Sequence, residues 1–272
     1  MFEFGYDHAF SRWISCEQYE RFKKLGFSTQ SEHVVEHEGG QLCRFLAIGD
    51  KKYLEFVEIK NDDVFLKTQK EIGQQPYPTG VSFRVNKNLK NFFTKKEASF
   101  KKYDIQYVHK NYDWKNNSTA SLPGWNFIFF RKPLYPGIEI WFTEYETDPV
   151  LGERKSRLSL KHDNECTHVL GIVLWDRSQK LGPILEELLE RKNHHGEITL
   201  HDQSKIWITD TARATLGDVS YKKESPFLAV VLKTENLEYF KNNTECTLME
   251  FFGKQAYRIE QHSKAYDVIV TA

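Results

Sequence analysis

The sequence predicts an α+β fold built from four units of one order, strand, helix, strand, strand, strand, arranged in two halves. Three observations predict it. Hydrophobic periodicity switches between the strand and helix patterns in the same succession along the chain. The succession restarts at a spacing of about 60 to 90 residues, the sequence sign of an internal repeat. The restarts coincide with breaks: a Pro-rich stretch at Gln75-Pro76-Tyr77-Pro78 and a charged stretch from Asp148 to Glu165.

The first unit opens with a strand over His8 to Ile14. A helix follows over Cys16 to Leu25, with Tyr19, Phe22 and Leu25 on its apolar side and Gly26 closing it. Strands are expected at Phe27 to Gln30, Leu42 to Ile48 and Tyr53 to Ile59, the last two joined by the turn Gly49-Asp50-Lys51. In the second unit Val81 to Val85 is a strand and Leu89 to Tyr103 a helix. Ile105 to His109, Trp125 to Arg131 and Gly137 to Glu144 are strands, with a polar insertion at Lys115 to Ala120.

Beyond the charged stretch, His168 to Leu174 is a strand and Gln179 to Lys192 an amphipathic helix carrying Ile184, Leu185, Leu188 and Leu189. Ile198 to Leu200 and Lys205 to Thr209 return to the strand pattern. Phe227 to Leu232, Asn236 to Lys241, Thr247 to Phe252, Gln255 to Glu260 and Asp267 to Thr271 repeat the order once more. The expected division is residues 1–147, a linker at 148–165 and a second pair of units at 166–272.

Composition narrows the partners. Lys plus Arg and Asp plus Glu are 38 each, so the chain is formally neutral, which argues against duplex nucleic acid or an anionic membrane as a bulk partner. The apolar runs fall far short of the ~20 residues of a membrane helix. Met1 to Phe10 lacks the basic and apolar segments of a secretory signal, and Cys16, Cys43, Cys166 and Cys246 are widely separated. Both facts predict a cytoplasmic protein with free thiols. Between Arg84 and Lys115 nine basic residues outnumber three acids, interleaved with aromatics. Their spacing fits a helix with rings inward and lysines outward rather than a nucleic-acid surface.

Tyr6-Asp7-His8 opening a strand, Lys24-Leu25-Gly26-Phe27 closing a helix, His37-Glu38-Gly39-Gly40, and Tyr53-Leu54-Glu55-Phe56 together resemble the glyoxalase-like branch of the vicinal oxygen chelate superfamily. The resemblance implies paired βαβββ modules whose sheets curl into a cup around a metal. It also implies that ligands come from the first and last strands of facing modules. On that basis His8, Glu55 and Glu139 are the expected metal ligands, with Glu55 and Glu139 also as catalytic carboxylates. The fourth position falls on Gly80, which cannot ligate, and the second half is a degenerate copy. The resemblance thus implies a divalent metal (Zn, Ni, Mn or Fe) and lyase or isomerase chemistry on a small substrate with adjacent oxygens. Four-module ring-cleaving dioxygenases of the superfamily usually keep their site in the C-terminal half.

The residue types suit that chemistry. One imidazole and one or two carboxylates hold a divalent ion while leaving positions for a chelating substrate. On strict alternation Tyr53, Glu55 and Val57 share one strand face, and an unpaired carboxylate among apolar neighbours is costly. If His37 joined His8 and Glu55, the set would be two histidines and one carboxylate, as in non-haem iron oxygenases. His37 otherwise belongs to a glycine-rich turn. A metal-free cup that binds a small molecule is the alternative, lined by aromatics such as Trp13, Trp125 and Trp141. Either protein would be a monomer or a homodimer.

Overall fold

The computed structural model describes residues 2–32, 34–49, 52–71, 73–86, 88–110, 125–145, 160–210, 225–262 and 264–272. The first module is β1 (Phe4–Arg12), α1 (Cys16–Lys24), β2 (Val35–His37), β3 (Gln41–Ala47) and β4 (Tyr53–Ile59). A connecting helix α2 (Asp62–Glu71) leads to β5 (Thr79–Val85), α3 (Leu89–Lys96), β6 (Ile105–Lys110), β7 (Trp125–Phe130) and β8 (Glu139–Tyr145). These strands form one sheet in the order β2-β3-β4-β1-β5-β8-β7-β6. β1 and β5 pair antiparallel at its centre, and each pairs parallel with the last strand of its own module. This is the expected pair of βαβββ modules.

The second half contains β9 (Cys166–Trp175), α4 (Leu181–Leu189), β10 (Glu197–Thr199), β11 (Lys205–Thr209), β12 (Phe227–Thr234), α5 (Glu238–Lys241), β13 (Thr247–Phe251), β14 (Lys254–Ile259) and β15 (Asp267–Thr271). Its sheet runs β10-β11-β9-β12-β15-β14-β13, again with an antiparallel first-strand pair at the centre. One continuous core joins the halves. It takes Phe4, Tyr6 and Phe83 from the first sheet, Ile172 and Val230 from the second, and Tyr19, Phe22, Phe92, Leu185 and Phe240 from the helices. Among the described residues no helix is long and apolar enough to cross a membrane.

Local chemistry explains the elements that frame the cup. α1 starts at Ser15, whose hydroxyl accepts from the Gln18 N–H while the Gln18 side chain accepts from the Ser15 N–H, a reciprocal cap. Glu17 in its first turn and Arg21, Lys23 and Lys24 in its last complement the helix dipole. The basic segment behaves as a buried-aromatic helix: Phe92 and Phe100 are in the core, and Lys96 reaches the Glu187 carbonyl and Glu190 across the halves.

Three expectations need correction. Phe27 to Gln30 is not a strand, because side chains occupy its backbone: the Gln30 N–H donates to the Tyr19 hydroxyl and the Ser28 N–H to His162. Strand pairing starts later, at Val35. The helix α2 was not expected, since it buries only Phe65 and Gln69 and so carries little periodicity. The end of the charged stretch does pack. His162 and Asn164 are 5% and 0% exposed, secured by hydrogen bonds and by the Phe27 ring edge-on to His162. Residues 148–159 of the expected linker and the insertion Lys115 to Ala120 lie outside the described residues.

His162 ties this segment to the first half as a neutral ring. Its Nε2–H donates to the Ala47 carbonyl at 2.8 Å and its Nδ1 accepts from the Ser28 N–H at 3.1 Å. Burial lowers its pKa below the ordinary 6.5, outweighing the Ala47 bond. A folded-state pKa below the unfolded one gives stability that is present above pH 6.5 and lost as pH falls through the folded value. Melting temperature should therefore drop on acidification below pH 6.5, and His162→Gln should flatten that acid limb. An unchanged acid limb in the variant would contradict the assignment.

Candidate active site

The concave face of the first sheet gathers the predicted residues through one irregularity. Pairing of β1 with β5 shifts register between Tyr6 and His8, so Asp7 is an extra residue in the strand. A bulge of this kind re-aims side chains, and it puts the neighbours Asp7 and His8 together instead of on opposite faces. The His8 Nδ1–H donates to Asp7 Oδ2 at 2.7 Å. That fixes the tautomer and turns Nε2 toward Glu55 Oε2, 3.5 Å away. Tyr53 stacks flat on the His8 ring at 4.5 Å between centroids, and Trp141 meets it edge-on at 5.2 Å.

Asp7 is wholly buried. It pairs with Arg84, accepts from the Tyr145 hydroxyl at 2.8 Å and lies 3.4 Å from the Thr143 hydroxyl. Burial and the charge of Asp7 push the Tyr145 hydroxyl well above its ordinary pKa, so it remains a donor. Burial works to lower the pKa of Arg84, but the adjacent Asp7 charge prevails and raises it.

Glu55 is the meeting point of two groups. On one side it faces His8. On the other, His37, Cys43 and Glu55 bring donor atoms within 4.8 Å of one another, which among the described residues is the one set of three that does so. Burial pushes the Cys43 thiol up, and the charge of Glu55 adds to it, leaving a thiol that hydrogen-bonds the carboxylate. His37 reaches the group from β2.

Glu139 stands apart from this group. Both its oxygens are held by Arg12, at 2.7 and 3.2 Å, and Arg12 also donates to the Tyr77 carbonyl. Register explains the separation. Glu55 lies opposite Phe10, two residues past His8, whereas Glu139 lies opposite Gly80 itself. The two carboxylates are therefore not at equivalent places along their modules. Phe10 fills the gap between them, its ring lying where a side chain on Gly80 would be. Gly80 is thus needed for packing as well as lacking a donor atom.

The wall on the second module is aromatic. Trp125, Phe127 and Phe129 stack along β7, with centroids 4.9 and 5.6 Å apart, and Trp125 also stacks on Tyr145. Trp125 and Trp141 line the cup as expected. Trp13 instead packs on α2, its indole N–H donating to Asp62 and its ring edge-on to Phe65. In the second half the concave face is filled by Val173, Val231, Phe251 and Ile269 with Trp207 against them, and His168, His194 and His195 are exposed.

The residues present fit a metal. A single free imidazole nitrogen and a carboxylate oxygen lie near the ~3 Å separation of adjacent ligands on one ion, and a second carboxylate orients the imidazole from behind. Sequence reasoning missed Asp7, Arg12 and Cys43. Gly5 inside a strand pattern was the available signal for Asp7, since such a glycine marks a bulge or a close backbone approach.

A Cβ at Gly80 would lie 2.4 Å from the Phe10 ring and 2.7 Å from the Glu139 carbonyl oxygen, which is backbone and cannot swing aside. Gly80→Ala should cost about 1–3 kcal/mol of stability by urea denaturation. A wild-type midpoint would show that Phe10 does not fill this place.

No protein-family model and no curated protein matches the sequence. Solved structures do. A hypothetical protein from Staphylococcus aureus superposes with a TM-score of 0.62 at 10% identity, over 98% of both chains. A catechol 2,3-dioxygenase superposes with a TM-score of 0.54 at 8% identity, over 98% of this chain and 86% of that one. Homoprotocatechuate 2,3-dioxygenase from Arthrobacter globiformis gives 0.54 at 10% identity, over 99% of this chain and 79% of that one. With its paired modules and concave site face, the chain has the fold of the vicinal oxygen chelate superfamily.

Proposed function

We propose that the N-terminal cup holds a divalent metal on His8 and Glu55, with Glu139 or His37 drawn in as a third ligand, and acts on a small ligand with two adjacent oxygens, by lyase or isomerase chemistry, in the cytoplasm. The observation that carries this reading is the alignment Asp7–His8–Glu55. A buried carboxylate takes one ring nitrogen, so the other is aimed at a second carboxylate. An ion held there would act as a Lewis acid on a chelated carbonyl.

The chain's own groups do the rest. Asp7 holds the His8 ring and Tyr53 covers it. His37 comes within 4.8 Å of Glu55 on the Cys43 side and would supply a second imidazole by turning toward His8. Glu139, held by Arg12 beyond Phe10, is the second carboxylate of the cup and would move a proton between adjacent ligand carbons once released from Arg12. The ladder Trp125–Phe127–Phe129 gives the ligand's body an apolar surface.

If His37 turned to join His8 and Glu55, a second reading would follow. Two histidines and one carboxylate form the facial set of oxygen-using iron enzymes, and the chain resembles two ring-cleaving dioxygenases in fold. Metal identity separates the two: iron with oxygen uptake favours the second, and zinc, nickel or manganese without it favours the first.

Metal analysis of protein purified without chelators tests the site itself. About one equivalent per chain is expected, lost in His8→Ala and Glu55→Gln, and reduced in whichever of His37→Ala and Glu139→Gln removes the third ligand. Loss in Glu139→Gln with retention in His37→Ala would make Glu139 that ligand. Sub-stoichiometric metal indifferent to His8→Ala would leave a metal-free binding protein.

A further inference from the structure

We infer that Asp202, on the β10–β11 turn of the second half, is a positioning residue for the His8 site of the first. β1 outruns its neighbour: pairing with β4 begins only at His8 opposite Tyr53, so Phe4 to Asp7 have no β4 residue beside them. The turn of the other half takes that place. The Phe4 N–H donates to His201 Nδ1 at 3.0 Å, and the His201 N–H donates back to the Phe4 carbonyl at 2.9 Å. The Tyr6 N–H donates to Asp202 Oδ2 at 3.1 Å. Backbone donors of a buried strand need partners, and here a side chain 196 residues away provides one.

Asp202 is held for the purpose. Its Oδ1 accepts from the Ser204 N–H and hydroxyl. Its Oδ2 meets the Lys52 ammonium at 2.7 Å, immediately before β4 starts. The carboxylate therefore bridges the overhanging end of β1 to the residue that precedes β4, the two strands that carry His8 and Glu55. Gly5 makes room for it: a Cβ there would lie 3.0 Å from the Asp202 carboxylate. The fixed N–H belongs to Tyr6, the last residue before the bulge that turns Asp7 and His8 into the cup. Releasing it frees the strand at the point where the bulge begins, and the His8 ring loses its set direction. The C-terminal half, whose own concave face is apolar, thus serves the N-terminal one.

This inference rests on the metal reading for one of its two readouts. Cobalt(II) is titrated into the full chain with Asp202→Ala and Asp202→Asn, alongside melting temperature and the NMR signal of the His8 Nδ1–H proton. Asp202→Ala should weaken cobalt by roughly tenfold, the usual scale for an outer partner of a ligand, and broaden the His8 signal. Asp202→Asn keeps an oxygen for the Tyr6 N–H and should restore most of both. Wild-type affinity and an unchanged His8 signal in Asp202→Ala would overturn the inference, as would a lowered melting temperature with neither readout moved. If the wild-type chain binds no cobalt, the metal reading fails by itself, and the His8 signal still decides the role of Asp202.

Discussion

A carboxylate with no contact with solvent, Asp7, sets the terms for the first half of this chain. Burying such a charge costs several kcal/mol unless donors surround it. Here the donors come from three adjacent strands: His8 on β1, Arg84 on β5, and Thr143 and Tyr145 on β8. Satisfying Asp7 therefore fixes how the two modules meet across the centre of the sheet. The same bonds fix the His8 ring, so packing of the sheet and orientation of the site residue are one constraint.

The two halves use one architecture in opposite ways. The first lines its cup with His8, Glu55, His37, Glu139 and half-buried rings. The second fills the corresponding face with Val173, Val231 and Ile269. A shared core and specific polar contacts join them: Tyr266 donates to the Ala9 carbonyl, and Asn164 donates to the Leu25 carbonyl. The apolar half is thereby part of the scaffold that the polar half stands on. An apolar half supporting a polar one follows from packing alone.

Much of the fold was legible. The limits of β4, β11 and β15 follow from short apolar-rich runs bounded by polar residues and turns, and the repeat of modules emerged from their order. Glu55 was legible as an acid in an apolar strand and His8 through the resemblance, and the structure brings them face to face. What sequence could not supply was register. Alternation puts Asp7 and His8 on opposite faces, and only pairing with β5 reveals the bulge that unites them. Matching Gly137-Ile138-Glu139-Ile140 with Tyr53-Leu54-Glu55-Phe56 made Glu139 look equivalent to Glu55, yet their strand partners differ by two residues along the sheet. The Arg12–Glu139 pair spans 127 residues, and nothing local announces it.

The central claim is that Asp7 aims His8 at Glu55 to hold an ion between them. Crystals soaked in manganese and measured for anomalous scattering test it most directly. A single strong peak is expected in the N-terminal cup, bonded to His8 Nε2 and a Glu55 oxygen, with Asp7 still on His8 Nδ1. A cup without a peak, or a peak bound elsewhere with the His8–Glu55 contact unchanged, would contradict it.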